Sequence, residues 1–294
     1  MKFGKVDDPS TVDFKLPKTP VETFNLLNKY PIAKDFKAYV GCAKWNKTDL
    51  KGFYPKGTKD ELSYYANQFN SIELNATFYS SPSLEQVQKW KNKTSAEFKF
   101  FPKIPQSISH YSRLINTEQK VLTFLDAITA FENNLGMIFL QLHENFSPKN
   151  LDRLKQFLSH FPKAYPLGVE VRHPDWFTDI HIFKDFCNLL ENQHITNIIV
   201  DTAGRRDMIH MRLTTPVAFI RYVSANDNSD EKRLDQWLDI VEDWKLNGLQ
   251  ELYFFIHQNT EIESPLIATS FIKKLNNRLG LDLPYPNKNK PELF

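Results

Sequence analysis

The amino-acid sequence predicts an α/β fold, a (β/α)8 barrel of the TIM type with an N-terminal extension. Three observations support this prediction. Eight short apolar segments recur along the chain, helical patterns lie between most of them, and no glycine-rich phosphate loop follows any of them. Short continuous apolar runs are typical of strands buried on both faces, as in parallel sheets. The missing glycine-rich loop disfavours the alternative fold, a doubly wound open sheet.

The composition is that of an ordinary globular protein and excludes several classes. The chain has 294 residues, of which 41% are apolar and 24% charged, and this suits one large domain or two small ones. The formal net charge of +2 gives no global signature of a nucleic-acid or membrane binder. Two cysteines, Cys42 and Cys187, cannot by themselves form a four-cysteine zinc site or hold an iron–sulfur cluster.

The sequence contains no recognisable targeting or membrane-spanning segment. Residues 1–14 lack the apolar stretch of a secretory signal, and no run of about 18 apolar residues occurs. We therefore expect a cytoplasmic location, free thiols and no membrane partner. No proline- or glycine-rich linker interrupts the middle of the chain, so we expect a single barrel domain over residues 37–294.

The predicted elements begin with the extension, residues 1–36, which is polar, punctuated by proline and only weakly periodic. We expect it to pack on the barrel, with a short helix within residues 20–30. The eight predicted strands follow at residues 38–43, 70–75, 98–103, 136–142, 167–171, 196–201, 217–223 and 252–257.

The connections between these strands carry helix signals. Thr58 and Glu61 have the spacing of a capping box, and Ser147 precedes a proline at the first helical position. A later apolar stripe at helical spacing ends before Gly248, a suitable C-terminal stop. The stripe consists of Leu234, Trp237, Leu238, Val241 and Trp244. Only about fifteen residues separate the sixth and seventh strands, which predicts a short or irregular helix there.

Polar side chains stand at the carboxyl ends of seven predicted strands. Residues two apart on a strand share a face, so Glu170 lies on the same face as Arg172, and Glu73 on the same face as Asn75. The other polar strand ends are Lys103, Gln141, Asp201, Arg221 and His257. Because barrel enzymes assemble their active sites at this end, the pattern predicts a functional pocket there.

The loop after the first strand, residues 43–59, adds a basic and aromatic signal. It contains Lys44, Lys47, Lys51, Lys56 and Lys59. Its one acid is Asp49. On the same barrel face as Arg172, this loop predicts an anionic ligand bearing phosphate or carboxylate, or a nucleic-acid backbone. Trp45, and Trp176 after the fifth strand, are candidates for stacking on a base or sugar.

Seven stretches between residues 38 and 260, in consistent order, carry a resemblance to a known family. The stretches are VGCAKW (40–45), YYANQFNSIELNATFY (64–79), FKFFPKIPQSISH (98–110), LGMIFLQL (135–142), GVEVRHPDWF (168–177), IIVD (198–201) and FIRY (219–222). As a set they resemble the domain-of-unknown-function 72 proteins, which are YecE-like. The resemblance implies a TIM-type barrel, and it supplies no activity because the family is uncharacterised.

The chain departs from the family pattern at four strand ends. Ala43-Lys44 stands where the family usually has a pair of small residues. His143 stands where the family commonly has proline, and residues 221–224 read Arg-Tyr-Val-Ser in place of Arg-x-His-Gly, so that histidine is absent. Residues 255–259 read Phe-Ile-His-Gln-Asn in place of a Phe-Asn-Asn type motif. His110, at the end of the matching stretch 98–110, and Asn259, after the eighth strand, join the candidates for ligand binding.

The first functional hypothesis is an enzyme, a hydrolase, isomerase or lyase, that acts on a small anionic substrate. Cationic side chains would bind the anion, and carboxylates and imidazoles would move protons. The candidate catalytic residues are Glu73, Glu170, His173, Asp201 and His257. The candidate ligand-binding residues are Trp45, Asn75, Lys103, His110, Gln141, Arg172, Trp176, Arg221 and Asn259. No cofactor is indicated.

Three alternatives stay open. A divalent metal held by carboxylates and His257 is disfavoured, because Arg172 adjoins Glu170 and no metal-binding spacing is present. A nucleic-acid-binding or endonuclease-like barrel is favoured by the lysine loop and disfavoured by the small net charge. A non-catalytic binding protein is the third.

Glycoside hydrolysis has weak support. It needs two carboxylates at a defined separation, and the sequence does not fix the separation of Glu73 and Glu170.

Overall fold

Eight parallel strands form a barrel in the computed structural model, which describes residues 4–258 and 261–287. The strands are β1 (Lys37–Cys42), β2 (Ser71–Leu74), β3 (Lys99–Pro102), β4 (Ile138–Gln141), β5 (Leu167–Glu170), β6 (Thr196–Asp201), β7 (Val217–Ser224) and β8 (Glu251–Gln258). Six of them pair in the order β1-β8-β7-β6-β5-β4, and β2 pairs with β3. Each of the eight overlaps a predicted strand, so the strand predictions are confirmed.

Helices occupy the connections. They are α1 (Val21–Leu27), α2 (Glu61–Ala66), α3 (Ala76–Tyr79), α4 (Leu84–Lys91), α5 (Glu118–Ile128), α6 (Leu151–His160), α7 (Asp175–Thr178), α8 (Ile180–Asn192), α9 (Ser229–Leu246) and α10 (Ser264–Leu279). The connection after β6 holds only the 3-10 helix Ala203–Met208, as predicted from its length. The stripe predicted for α9 is buried, and Gly248 follows that helix with φ of 113°.

Two seams close the sheet into a barrel. Between β3 and β4, the amide of Gly136 donates to the carbonyl of Phe100 (2.7 Å) and that of Ile104 to the carbonyl of Phe139 (2.9 Å). Between β1 and β2, the side chain of Asn70 accepts from the amide of Val40 (3.1 Å) and donates to the carbonyl of Ala38 (2.8 Å). A closed parallel sheet excludes the doubly wound alternative.

The barrel interior is filled by aromatic side chains below its carboxyl end. Phe101 from β3 meets Phe255 from β8 with ring centroids 4.8 Å apart, and Phe139 from β4 meets Phe219 from β7 at 5.5 Å. These four residues are fully buried. A second and larger apolar core lies between the strands and the helices. The aromatic layer is therefore a closed floor beneath any site at the barrel mouth.

The described part of the N-terminal extension packs along the barrel. Leu26 and Leu27 of α1 are buried, and the hydroxyl of Thr23 donates to the carbonyl of Met211 (2.8 Å). Nearer the N-terminus, the ring of Phe14 lies 4.4 Å from the guanidinium carbon of Arg233 on α9. The division of the chain at residue 36 stays a prediction.

One predicted capping box is wrong. Asp60, not Thr58, caps α2, and its carboxylate accepts from the amide of Ser63 (2.9 Å). The hydroxyl of Thr58 donates to the carbonyl of Pro55 instead (2.9 Å). Aspartate at the N-cap accepts the same orphan amides as threonine, and here it lies two residues closer to the helix. Within the described ranges, no helix combines the length and apolarity needed to cross a membrane.

Candidate functional site

Six polar side chains from six strands point into the barrel directly above the aromatic floor. This polar layer consists of Glu73 (β2), Lys103 (after β3), Gln141 (β4), Glu170 (β5), Arg221 (β7) and His257 (β8). All except His257 are at least 95% buried. Each lies two positions along the sequence from an inward-facing position below it. Because side chains alternate between the two faces of a strand, each of the six also faces the barrel axis. All six were predicted from the sequence as polar residues at strand ends.

Arg221 is the centre of this layer. It donates from Nε and Nη2 to the two carboxylate oxygens of Glu73, at 2.9 and 2.8 Å. From Nη1 it donates to Glu170 at 2.5 Å and to Gln141 at 3.1 Å. Burial opposes its charge, but the two carboxylates outweigh that effect and raise the pKa of Arg221. These donors are hydrogen-bonded to side chains of the protein, so this geometry does not support the predicted role of Arg221 in binding an anion.

The two carboxylates are held in their ionised form. Burial alone would raise the pKa of Glu170, but Arg172, whose Nε donates to it at 2.5 Å, and Arg221 lower it to about 2. In the same way, Arg221 and His257 outweigh burial and hold the pKa of Glu73 well below its usual value. Such weak bases accept protons poorly near neutral pH, which disfavours the predicted role of either glutamate as general base.

His257 is the part of the polar layer that reaches the solvent. Its Nε2 lies 2.8 Å from Oε2 of Glu73, and its side chain is 16% exposed. Because Nε2 faces a carboxylate oxygen, it carries the proton and donates to it, which leaves the lone pair on Nδ1. Among the described residues, Nδ1 has no hydrogen-bond partner. His257 is also the Cα partner of Val223, where the family pattern has a histidine.

Lys103 is buried beside this network and is 1% exposed. Its Nζ donates to the amide oxygen of Gln141 (2.9 Å), which also accepts from Arg221. The ring of Phe78 from α3 lies 4.1 Å from Nζ. Burial, and then the nearby charges of Arg221 and Arg172, hold the pKa of Lys103 well below its ordinary value.

Two histidines lie above Lys103. His110 is in the single π-helical turn Ser107–Tyr111, and its Nδ1 is 2.9 Å from the hydroxyl of Ser109. The rings of His110 and His143 meet edge to face at 5.0 Å. Burial, followed by the neighbouring His143, lowers the pKa of His110 to about 4. His110 is therefore neutral at physiological pH.

A cavity of about 360 Å³ opens above the polar layer at the carboxyl end of the strands. Its lining includes His257, Arg172 and Arg221 on the inner side and Lys44 and Lys51 at the rim. The remaining lining residues are Ala43, Thr48, Asp49, Asn75, Tyr79, Val200, Val223, Gln258, Glu261 and Ile262. The predicted lysine loop thus contributes two of its five lysines to the wall of this cavity.

Asn75 belongs to the cavity as predicted from its strand. Its amide donates to Oε1 of Glu73 at 2.7 Å. Tyr79 of α3, an aromatic candidate for stacking, lines the cavity, and so does Glu261 in the connection after β8, which was not predicted from the sequence. Burial raises the pKa of Glu261, whose Oε2 accepts from the hydroxyl of Ser264 at 2.6 Å. The position of Glu261 just after a strand end was the available signal.

Asp201 lies outside the cavity, contrary to its predicted catalytic role. Its neighbour Val200 faces the axis, so Asp201 faces the helices. There it pairs with Arg233 (2.8 Å) and Arg206, and it accepts from the indole of Trp237 (2.8 Å). These contacts make Asp201 a structural anchor for α9.

Trp176, Trp45 and His173 do not line the cavity either. Trp176 is fully buried, and its indole donates to the carbonyl of Phe146 (2.7 Å), so it is a packing residue. Trp45 packs edge to face on Trp90 of α4, with ring centroids 5.9 Å apart. His173 accepts from the amide of Asp175 through Nδ1 (3.2 Å). Asn259 lies outside the described residues.

The arrangement is unsuited to a metal ion. Arg221 occupies the position between the two carboxylates where a cation would bind. In the part of the chain that the structure describes, no group of three or more His, Cys, Asp or Glu side chains could hold a metal ion. The divalent-metal alternative therefore gains no support from the geometry.

A closed parallel barrel with a charged layer beneath a cavity at its C-terminal face defines a TIM-type (β/α)8 barrel protein. Comparison with known families identifies which one. The model of the family described as "Protein of unknown function DUF72" matches residues 39–290. The chain belongs to this family, as its sequence motifs predicted.

Relatives agree with this assignment. The UPF0759 protein YecE of Escherichia coli K12 is 28% identical over 263 residues, which cover 82% of this chain and 93% of that protein. A crystal structure of a DUF72 family protein from Thermotoga maritima is similar with a TM-score of 0.67 and 26% identity, and the match covers 82% of this chain and 99% of that one. A DUF72 structure from Enterococcus faecalis, 16% identical with a TM-score of 0.66, covers 84% of this chain and 99% of its own. These descriptions name no substrate or reaction.

Proposed function

We propose that the chain binds a small molecule bearing phosphate or carboxylate in the cavity, and that His257 transfers a proton to or from it. The observation that carries this proposal is the pair of His257 with the buried carboxylate of Glu73, 2.8 Å away, at the wall of a cavity with a basic rim. Lys51, Lys44 and Arg172 supply the positive charge of that wall, although Lys44 is paired with Asp49 (3.0 Å) and Arg172 with Glu170.

The pair has the features of an imidazole general base. Glu73 holds the ring through Nε2 and stabilises the imidazolium that forms when Nδ1 accepts a proton. Glu73 itself stays ionised because of Arg221. The sequence predicted an acid–base role for five residues. We assign this role to His257, and Glu73 positions its ring. Proton abstraction of this kind begins isomerisation and elimination reactions.

The cavity favours a small ligand over a nucleic acid. Its volume of about 360 Å³ is at the lower end of the range for small-molecule pockets. The aromatic floor closes it from below, and the net charge of the chain is only +2. A nucleic-acid backbone requires an extended basic surface, whereas Lys44 and Lys51 border a single cavity.

The binding step is tested by calorimetric titration of the full chain with inorganic phosphate and with malonate at low ionic strength. Lys51→Gln removes an exposed rim charge and is expected to weaken affinity roughly twofold to fivefold. Lys232→Gln removes an exposed lysine from α9 and should leave affinity unchanged. If neither anion binds, or if both variants behave alike, the proposal is wrong.

The proton-transfer step is tested with His257→Gln. The glutamine amide can still donate to Glu73 but cannot titrate, so binding should persist while turnover is lost. Small phosphorylated and carboxylated compounds are incubated with the wild-type chain and monitored by NMR in D2O, which also detects exchange of a carbon-bound proton. Equal turnover by the two proteins would contradict the role of His257. Binding without any turnover or exchange would instead indicate a non-catalytic binding protein.

A further inference from the structure

We infer that Lys103 forms an imine with a carbonyl group of the ligand, so that the ligand class narrows to anionic aldehydes and ketones. This inference rests on the proposed binding of an anion in the cavity. It assigns a chemical role to a buried amine that the proton transfer by His257 does not use. The geometry around Nζ carries the argument.

The carboxylates of the polar layer are already engaged by other cations. Glu73 is paired with Arg221 and His257, and Glu170 with Arg172 and Arg221. Within the described residues, no carboxylate oxygen lies within 4.0 Å of Nζ of Lys103. Its side-chain hydrogen bond goes to Gln141, a neutral acceptor (2.9 Å). Lys103 is therefore a buried amine without a counter-ion.

A buried ammonium without a counter-ion is unfavourable. The ring of Phe78 at 4.1 Å would stabilise a charge on Nζ. Glu170 and Glu73 also favour the charge, but burial and the neighbouring Arg221 and Arg172 outweigh all of these contributions. The depressed pKa of Lys103, caused first by burial and then by Arg221 and Arg172, agrees with this balance. The uncharged amine is the nucleophilic form of lysine.

The reaction balances without a cofactor. The lone pair of Nζ attacks the carbonyl carbon, a carbon–nitrogen bond forms, and the carbonyl oxygen takes a proton to give a carbinolamine. Loss of water then gives the imine, and this water contains the carbonyl oxygen and both amine protons. The position suits an anionic carbonyl compound, because Lys103 shares Gln141 with Arg221, and Arg221 lines the same cavity as the rim lysines Lys44 and Lys51.

Phe78 controls access to the amine. It covers Nζ from α3, a helix of four residues, and is itself 6% exposed. The next residue, Tyr79, is 64% exposed and lines the cavity. Displacement of this short helix would open a path from the cavity to Nζ. Phe78→Ala should therefore make Lys103 more accessible.

The test is reductive trapping of the full chain with glyoxylate, a small aldehyde that carries a carboxylate. Sodium cyanoborohydride at about pH 6.5 reduces the imine by hydride transfer and makes it permanent, and peptide mass spectrometry locates the adduct. An ordinary lysine is almost wholly protonated at this pH, so Lys103 should react roughly tenfold or more faster than the exposed Lys232. Phe78→Ala should raise the rate at Lys103 further, and Lys103→Arg should remove that adduct alone.

Two outcomes separate this inference from the proposed function. If inorganic phosphate binds but Lys103 stays unmodified in both the wild-type chain and Phe78→Ala while Lys232 reacts, the imine is wrong and the anion site stands. If Lys103 reacts no faster than Lys232, or equally fast with glyoxylate and with uncharged acetaldehyde, the assignment of an anionic carbonyl ligand is overturned.

Discussion

Arg221 holds the site together at the residue scale. It connects β7 to β2, β4 and β5 through the side chains of Glu73, Gln141 and Glu170. Replacing two well-paired buried charges by apolar groups can be nearly neutral, whereas removing one partner leaves the others uncompensated. The polar layer contains one arginine between two glutamates, so the consequences of losing it are large.

We expect Arg221→Met to lower the free energy of unfolding by about 3–5 kcal/mol, because Glu73 and Glu170 are left without their shared partner. The measurement is urea unfolding at pH 7. Arg278→Met is the control, because Arg278 pairs with Asp239 and Glu242 on the surface and its loss should change stability little. Equal effects of the two substitutions would refute the central role of Arg221.

The depressed pKa of Glu170 predicts a pH dependence of stability. Its value is about 2 in the folded chain, against an ordinary value of 4.5. A lowered folded-state pKa stabilises the protein above the unfolded-state value, on the order of 3 kcal/mol here, and this contribution is lost as the pH falls from about 4.5 to 2. Glu73 acts in the same direction. Unfolding free energies of the wild-type chain should fall across this window, and those of Arg221→Met should fall less steeply.

Individual residues show which parts of the site the sequence predicts and which parts it does not. The period of a strand predicted the shared inward face of Glu170 and Arg172, and both lie at the barrel mouth. The prediction for Asp201 depends on its place at the end of a strand and not on the face of the sheet that it occupies. Val200 before it is inward, so alternation sends Asp201 to the helices. Ion pairs such as that of Glu73 with Arg221 join residues far apart in the chain and leave no local pattern.

At the scale of elements, the seam between β1 and β2 is held by side chains. The hydroxyl of Tyr65, from α2, accepts from the amide of Cys42 (2.7 Å) and donates to the carbonyl of Ser71 (3.0 Å). Gly41 permits this close approach, because a Cβ there would lie 2.1 Å from the carbonyl oxygen of Ser71. The apolar runs predicted the two strands, but their periodicity contains no information about such a bridge.

We expect Tyr65→Phe to lower the free energy of unfolding by about 1–3 kcal/mol, because it leaves the buried amide of Cys42 and the carbonyl of Ser71 unpaired. Hydrogen exchange at the Cys42 amide should accelerate, since the seam opens locally. Tyr64→Phe is the matched control on the same helix, because the hydroxyl of Tyr64 has no hydrogen bond among the residues described. Unchanged protection at Cys42 would show that the seam does not depend on Tyr65.

At the scale of the whole molecule, the extension is connected through one short segment to Arg172 on the inner side of the cavity. Arg206 donates to the carbonyl of Phe14 (3.2 Å) and also pairs with Asp201. In the same 3-10 segment, Arg205 donates to the carbonyl of Arg172 (3.0 Å). The segment Ala203–Met208 therefore contacts both the extension and Arg172, which lines the cavity. Composition alone could not predict this, because residues 1–36 are polar and nearly aperiodic.

We expect Phe14→Ala to lower the free energy of unfolding by roughly 3 kcal/mol. Its ring is 9% exposed and covers the guanidinium groups of Arg233 (4.4 Å) and Arg206 (5.4 Å), so truncation removes apolar burial and exposes the pairs that anchor Asp201. Phe14→Leu keeps most of the volume and should cost less than half as much. Urea unfolding gives the free energies, and hydrogen exchange over residues 202–206 should accelerate in Phe14→Ala only. If the free energy of unfolding falls while hydrogen exchange over residues 202–206 stays unchanged, the extension stabilises the barrel without ordering this segment.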